Sequence, residues 1–404
     1  MTAVSLKDAN GNDLTLATPE RDPNDPLVLS ARIAQPLLPG RYTVAWQTAA
    51  SDGHPSRGTF SFVVLEGAVQ PPAGPASHGT DTIGGGIPAP ASPVKGESGE
   101  VGDAASSVSN SLARTLTFVG LLALIGAVTF RTIVLPRARG VSTDIRERIE
   151  RRTALLGLSA SVLVILGAFT RLFLESEMMN AMPEMRTMSI GNMAMHTEWG
   201  SALRLEIGAA LLALVSFALG MRRLRGAWLA ASVSAIVLAI TPALAGHAAA
   251  SSRFTSLMIA TDFLHVLGGS SWLGSLLAVM VVGVPLSLTL EGDERWSSIA
   301  SLVNSFSQLA LASVSVVVVS GLIASWVHLE HLSALWQTAY GQVLLLKLLL
   351  VAVTAMIGAY NFRRVQPLLV NEVGTARLKL SATLELGLGF LILLVTGLLT
   401  GISP

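Results

Sequence analysis

Residues 257–288 read LMIATDFLHVLGGSSWLGSLLAVMVVGVPLSL, and their only ionisable side chains are Asp262 and His265. An α-helix needs about 20 predominantly apolar residues to cross the hydrocarbon core of a bilayer. The stretch is therefore predicted to be a membrane-spanning helix. It is long for a simple crossing, so we expect it to tilt or to project beyond the bilayer.

Seven similar runs accompany this one, which predicts eight spans. In chain order the spans are 112–135, 153–174, 199–220, 227–246, 257–288, 299–327, 340–361 and 378–401. Hydrophobic residues make up 51% of the 404 residues and charged residues 13%, about half the charged share of a soluble domain. These values exclude an ordinary cytosolic enzyme and predict a mainly α-helical membrane protein with an eight-helix bundle over 112–404. The net charge of +1 gives no indication of a nucleic-acid partner.

The N-terminal residues 1–66 have the composition of a small β-domain. Short β-rich runs separated by turn residues predict strands at 4–6, 14–16, 27–33, 41–47 and 59–65. That is about half of a small β-sandwich, so the domain is expected to be incomplete. Residues 67–111 are rich in Gly, Pro, Ala and Ser and are predicted to form a flexible linker.

The loops predict the orientation of the spans. Cationic residues concentrate in the loops after spans 1, 3 and 7: Arg137, Arg139, Arg146, Arg148, Arg151, Arg152, Arg222, Arg223, Arg225, Arg363, Arg364, Arg377 and Lys379. The positive-inside rule places these loops in the cytoplasm. The N-terminal domain and the C-terminus are then outside a bacterial cytoplasmic membrane. Because no export signal begins the chain, we expect the native start to lie upstream.

A methionine cluster in the 2–3 loop is the strongest local signal for metal handling. The chain has no cysteine, which excludes disulfides and thiolate metal sites. Seven of its twelve methionines precede His196 closely: Met178, Met179, Met182, Met185, Met188, Met193 and Met195. Thioether sulfur suits Cu(I), and imidazole adds affinity for either copper state. The alternative is a methionine-rich packing surface, but polar neighbours such as Asn180 and Glu184 argue against burial.

The histidines all fall on the predicted outer side. Beyond His196, the candidate ligands at the outer ends of spans are His247, His265, His328 and His331. Asp262 shares a helix face with His265 and can orient it as a ligand or form a proton relay. For each single histidine the alternative is a hydrogen-bonded interfacial residue. Lys347 and Glu385 lie at depths that permit an ion pair.

Three segments of the N-terminal domain resemble the C-terminal part of the copper-binding CopC family. They are 38–46 (LPGRYTVAW), 51–55 (SDGHP) and 58–64 (GTFSFVV). The resemblance implies an immunoglobulin-like β-sandwich that holds Cu(II) through an N-terminal His and through Asp52 and His54. The N-terminal His has no counterpart here, so we expect weak Cu(II) binding by 1–66. By itself the Asp-Gly-His triplet is more often only a turn.

The membrane region resembles CopD, the copper-resistance inner-membrane family. The matching elements are 246–248 (GHA), 262–265 (DFLH), 272–274 (WLG), Tyr340-Gly341, Lys347, Asn361 and Glu385. The chain is thus similar to a CopC–CopD fusion, and the CopD resemblance implies copper uptake across the inner membrane.

The predicted function is capture of external copper and its import by a protein that is not an enzyme. The expected partners are copper ions, membrane lipid and periplasmic or extracellular copper chaperones. No Walker A motif is present, so any driving force comes from the membrane potential or from a cytoplasmic copper sink. Two alternatives remain open: a haem-binding membrane cytochrome using His247, His265 and His328, and a non-transporting copper sensor or docking platform.

Overall fold

The computed structural model describes most of the chain, and it divides into two compact units, 1–101 and 102–404. The described residues are 2–17, 19–21, 28–33, 35–49, 55–65, 100–180, 191, 194–195, 198–224, 226–245, 255–328, 331–369 and 371–401. The statements below refer to these residues, and each unit is treated by itself.

The N-terminal unit consists of antiparallel β-structure. Its strands are β1 (Thr2–Lys7), β2 (Asp13–Leu14), β3 (Glu20–Arg21), β4 (Leu29–Ser30), β5 (Gly40–Ala49) and β6 (Pro55–Val64). A four-stranded sheet has the order β2-β1-β5-β6, and β3 pairs with β4. Tyr42 is buried, stacks on Phe62 at 5.6 Å between ring centroids, and donates its hydroxyl to the Leu38 carbonyl at 2.7 Å. This sheet confirms the predicted small β-domain.

Sequence reasoning missed β3, because Glu20 and Arg21 carry no apolar alternation. The predicted strand 27–33 is reduced to β4, and residue 27 lies outside the described part of the chain. The β5–β6 hairpin is longer than predicted at both strands and pairs Gly40 with Val64 through to Ala49 with Pro55. Its Cα register places Tyr42 opposite Phe62, which accounts for the ring stacking.

The second unit contains eight helices long and apolar enough to cross a membrane, as predicted. Spans 1 to 8 are Val108–Arg137, Thr143–Glu177, Trp199–Met221, Ala227–Ala245, Thr255–Ser287, Gly292–Val327, Ala339–Leu368 and Glu372–Leu399. The helix that contains span 1 begins at Glu100, inside the segment predicted as linker. No proline occurs between Pro93 and Pro136, so nothing in that interval breaks the helical hydrogen bonds. Pro242 lies inside the helix of span 4.

Spans 1 and 5 cross at two glycines in the centre of the bundle. A Cβ atom at Gly126 would lie 2.1 Å from the carbonyl carbon of Gly274, so only glycine permits this approach. The hydroxyl oxygens of Thr129 and Ser275 lie 2.8 Å apart beside the crossing. Span 5 also contains π-helical segments at Ser270–Gly274 and Val279–Gly283. The crossing holds span 5, which carries Asp262 and His265, against the bundle core.

The loops after spans 1, 3, 5 and 7 lie at one end of the bundle, here called the arginine-rich end. The backbone N–H of Gly140 donates to Ser301 Oγ at 3.0 Å and joins the 1–2 loop to span 6. Arg223, after span 3, forms a two-point ion pair with Glu147 of span 2 at 2.9 and 2.6 Å. Spans 2, 4 and 6 end, and spans 3, 5 and 7 begin, at the other end, here called the opposite end.

Candidate metal centre

A polar cluster lies within spans 5, 6 and 7, near the opposite end. His265 is ten residues from Thr255, where span 5 begins, which is a depth of about 15 Å. Ser320 is seven residues before Val327, where span 6 ends, at about 10 Å. The two side chains therefore meet at similar depths from the opposite end, where span 5 begins and span 6 ends. His265 is partly buried, and Ser320 is buried.

A hydrogen bond to span 6 orients the imidazole of His265. Its Nδ1 lies 3.0 Å from Ser320 Oγ, and Ser320 Oγ lies 2.7 Å from the Val316 carbonyl oxygen. The hydroxyl has a single proton, which it donates to the carbonyl. With its proton on the carbonyl it can only accept from Nδ1–H, and this assignment leaves the lone pair of His265 on Nε2. This arrangement is the one by which a neighbouring group fixes the tautomer of a ligating histidine.

The position after Ser320 is a glycine that lies beside the ring. A Cβ atom at Gly321 would lie 3.4 Å from His265 Cε1 and 3.7 Å from Nδ1, which is ordinary van der Waals contact. The imidazole therefore lies close to span 6. Sequence reasoning selected His265 but not Ser320 or Gly321, because a serine and a glycine in a membrane helix have many ordinary packing roles.

Span 7 brings a cation and a phenol to the same cluster. Lys347 lies within electrostatic range of both Asp262 and His265, and Tyr340 lies within range of Asp262. Tyr340 and Lys347 are seven residues apart, two helical turns, and so share one face of span 7. Carboxylate, phenol and imidazole groups thus occur together on spans 5 and 7, and the imidazole is a ligand type that suits copper.

The proposed pairing of Lys347 with Glu385 is wrong. Glu385 is buried and accepts a hydrogen bond from Asn361 Nδ2, while Lys347 lies within electrostatic range of Asp262. Asn361 is fourteen residues from Lys347 along span 7, a separation of about 21 Å. Glu385 therefore lies much farther from the opposite end of the bundle than Lys347 does. Asn361 Oδ1 is buried without a hydrogen-bond partner among the described residues.

A second ionic contact near the opposite end joins spans 2 and 3. Arg171 NH2 donates to Glu206 Oε1 at 2.7 Å and to Oε2 at 2.6 Å, and Glu206 is 2% exposed. Sequence reasoning missed Arg171, although the position of an arginine inside an apolar run was a usable signal. Because both carboxylate oxygens are occupied by the guanidinium, this pair is structural rather than a metal site.

The methionine-rich segment is described only in part. Met195 is 61% exposed, and Arg204 of span 3 donates a hydrogen bond to the Ala194 carbonyl beside it. The helix of span 2 continues to Asn180, so the backbones of Met178 and Met179 extend that helix. The predicted ligands outside the described residues are Asp52, His54, Met182, Met185, Met188, Met193, His196 and His247.

Two further predicted ligands lie at and just after the end of span 6. His331 is exposed in the loop after span 6, and His328 is described only as helical backbone. Within the described ranges, no group of three or more His, Cys, Asp or Glu side chains is arranged to hold a metal ion. Asp262 and His265 are two side chains of these types on one face of span 5.

Three family models match parts of the chain. Residues 1–65 match the CopC domain, 105–254 match the N-terminal domain of copper resistance protein D-like proteins, and 300–399 match copper resistance protein D. Ser320 and Lys347 lie inside the last match. Asp262 and His265 lie between the two membrane-domain matches.

Two curated proteins are similar over most of their lengths. Copper transport protein CutJ of Bacillus subtilis (strain 168) is 23% identical over 409 residues, covering 99% of this chain and 68% of the relative. Copper resistance protein D of Pseudomonas syringae pv. tomato is 26% identical over 300 residues, covering 72% of this chain and 91% of the relative. No solved structure matches the chain significantly.

Proposed function

We propose that this chain, which carries CopC and CopD family domains in one polypeptide, captures external copper and imports it across the bacterial cytoplasmic membrane. The eight apolar spans and the CopD matches indicate an integral membrane protein, and the copper names of the relatives point to a non-enzyme. The positive-inside rule supports the proposed orientation, with the opposite end and both termini outside.

The observation that carries the proposal is the oriented His265 in a CopC–CopD chain. In the proposed path, the methionines of 178–195 and His196 collect copper, and His247 and His265 receive it. Thioether ligands held on a loop exchange metal readily, whereas His265 is held in place by Ser320. The fixed Nε2 lone pair is the inner acceptor of this transfer.

Lys347 gives the cluster a means of releasing the ion. Lys347 lies within electrostatic range of Asp262 and His265. A copper ion bound at Asp262 and His265 is repelled by the ammonium. The repulsion weakens binding and favours onward movement, because conduction requires sites that release ions as well as bind them.

Copper content of cells tests the proposal. Cells expressing the full chain at limiting external copper should accumulate more copper than cells without it. His265→Ala should abolish the difference at equal expression, because the Nε2 ligand has no nearby substitute among the described residues. Met195→Leu should cost little, because neighbouring thioethers replace the lost sulfur. If His265→Ala cells accumulate copper like the parent, the histidine is structural and this path is wrong.

A serine pair supplies the matched control for the orienting role. Ser320→Ala removes the hydrogen bond to His265 and should lower copper affinity about 10- to 100-fold, as for other groups that orient a metal ligand. Ser315→Ala on the same helix should leave it unchanged, because that hydroxyl bonds only to the Leu311 carbonyl of its own helix. Equal copper uptake by the two serine variants would remove the support for His265 as an oriented ligand.

The haem-cytochrome and sensor alternatives gain no support from the family matches or from the named relatives.

A further inference from the structure

A cavity of about 450 Å³ lies at the arginine-rich end of the bundle. Residues from spans 2, 3 and 5 line it: Arg148, Arg151, Arg152, Leu155, Met221 and Leu286. Arg151 and Arg152 lie three and four residues after Arg148, so the three arginines share one face of span 2. Their guanidinium groups therefore meet three apolar side chains at the place where span 2 enters the apolar part of the bundle.

No acidic residue of the same helix is among the residues that line this cavity. Glu147 is occupied by Arg223, and Glu150 pairs with Arg131 at 3.0 Å. Neither carboxylate lines the cavity, and nor does Asp144, which lies in the first turn of the same helix, four residues before Arg148. Across the described ranges, none of the three cavity arginines forms an ion pair, and the single side-chain contact, from Arg148 to Thr289 Oγ1, is long at 3.4 Å. Three like charges around one cavity favour an anionic ligand.

An exposed apolar stripe continues from the cavity along span 2. Its members recur at helical spacing on the face of Arg148: Leu155, Val162, Leu166, Phe169 and Phe173. Each of them is at least 40% exposed. In a membrane-spanning helix, an exposed apolar stripe of this kind faces the acyl chains of the lipid.

We propose that the cavity is a binding site for an anionic phospholipid. The phosphate of the head group pairs with Arg148, Arg151 and Arg152, and an acyl chain lies along the stripe that begins at Leu155. Guanidinium groups match phosphate oxygens with two parallel hydrogen bonds. Basic pockets between membrane helices on the cytoplasmic side are known to take lipid head groups. A soluble phosphate would use the arginines but leave the apolar wall and the stripe without a role.

The test measures lipid binding to the purified full chain in detergent by native mass spectrometry. Phosphatidylglycerol and phosphatidylethanolamine are added at equal concentrations. The R148Q/R151Q/R152Q variant is compared with R139Q/R363Q/R364Q, which removes three exposed arginines of the same end that do not line the cavity. The parent and the control should bind phosphatidylglycerol preferentially. The cavity variant should lose on the order of 100-fold in affinity, about 5-fold for each arginine near the membrane surface.

Several results would overturn the site. One is equal phosphatidylglycerol binding by the two triple variants. Another is equal binding of the two lipids by the parent. The third is displacement of phosphatidylglycerol by millimolar inorganic phosphate, because that result would identify a free-anion site. If the triple variant does not fold, Arg151→Gln alone should show about a 5-fold loss, and no loss there contradicts the proposal. The inference does not depend on copper transport, so failure of either leaves the other intact.

Discussion

Substituting Gly274 by alanine should separate spans 1 and 5. An alanine Cβ at this position would lie 2.0 Å from the carbonyl oxygen of Leu122 and 2.8 Å from the Cα of Gly126. Real Cβ atoms essentially never approach another heavy atom closer than 3.0 Å, so at least 1.0 Å of movement is required (3.0 − 2.0). Both neighbours are backbone atoms of a helix, which cannot swing aside like the end of a flexible side chain.

The cost follows from the contacts that this movement disturbs. Forcing extra volume into a well-packed core costs about 1–3 kcal/mol. Separating the spans also weakens the hydrogen bond between Thr129 and Ser275, worth about 0.5–1.5 kcal/mol. Alanine regains about 1 kcal/mol over glycine in helix propensity. The net expectation is a loss of roughly 1–3 kcal/mol in the free energy of unfolding.

Thermal unfolding of the purified protein in detergent measures this loss. Gly387→Ala in span 8 is the matched control, because nothing lies within 4 Å of its Cβ position. The control should be neutral or slightly stabilised by its helix propensity, whereas Gly274→Ala should lower Tm by several degrees. Equal Tm values for the two variants would show that the spans do not cross closely at Gly274, and would refute the reasoning.

Two further predictions concern the buried ion pair and the orientation of the spans. Glu206→Leu leaves the partly buried Arg171 without its carboxylate partner and should cost about 3 kcal/mol of stability. Replacing both Arg171 and Glu206 by leucine should recover most of the lost stability. If unfolding experiments show no recovery, the unpaired arginine is not the cause of the loss. A cysteine at Ser189 should react with an impermeant thiol reagent in whole cells, and one at Ser142 should not. The reverse pattern of labelling would invert the proposed topology.

The sequence was sufficient for the eight spans and for the β-hairpin of the small domain. A run of about 20 apolar residues must form a helix in lipid, because every backbone N–H and C=O there needs a partner within the same segment. The alternation of β5 and β6 likewise predicts strands, since successive side chains point to opposite faces. The short pair β3–β4 escaped prediction, because polar residues such as Glu20 carry no such pattern.

Some properties of the candidate ligands likewise follow from the sequence, and others only from the tertiary structure. Chemistry alone selects Asp262 and His265, because ionisable side chains are rare within spans. It does not reveal that Ser320 orients the imidazole, since the serine lies on another helix and 55 residues away in the chain. The convergence of the other predicted ligands remains a prediction, because most of the methionine-rich segment lies outside the described residues.

The tertiary structure alone decided which charged residues are partners. Depth along the spans allowed Lys347 to pair with Glu385, but in the structure Glu385 accepts a hydrogen bond from Asn361, and Lys347 lies within electrostatic range of Asp262. It also supplied Arg171 as the partner of Glu206. Hydrophobicity fixes where a helix begins and ends in the bilayer. The neighbour of a side chain depends on the rotation of each helix and on which helices pack together, and close contacts between distant residues determine both.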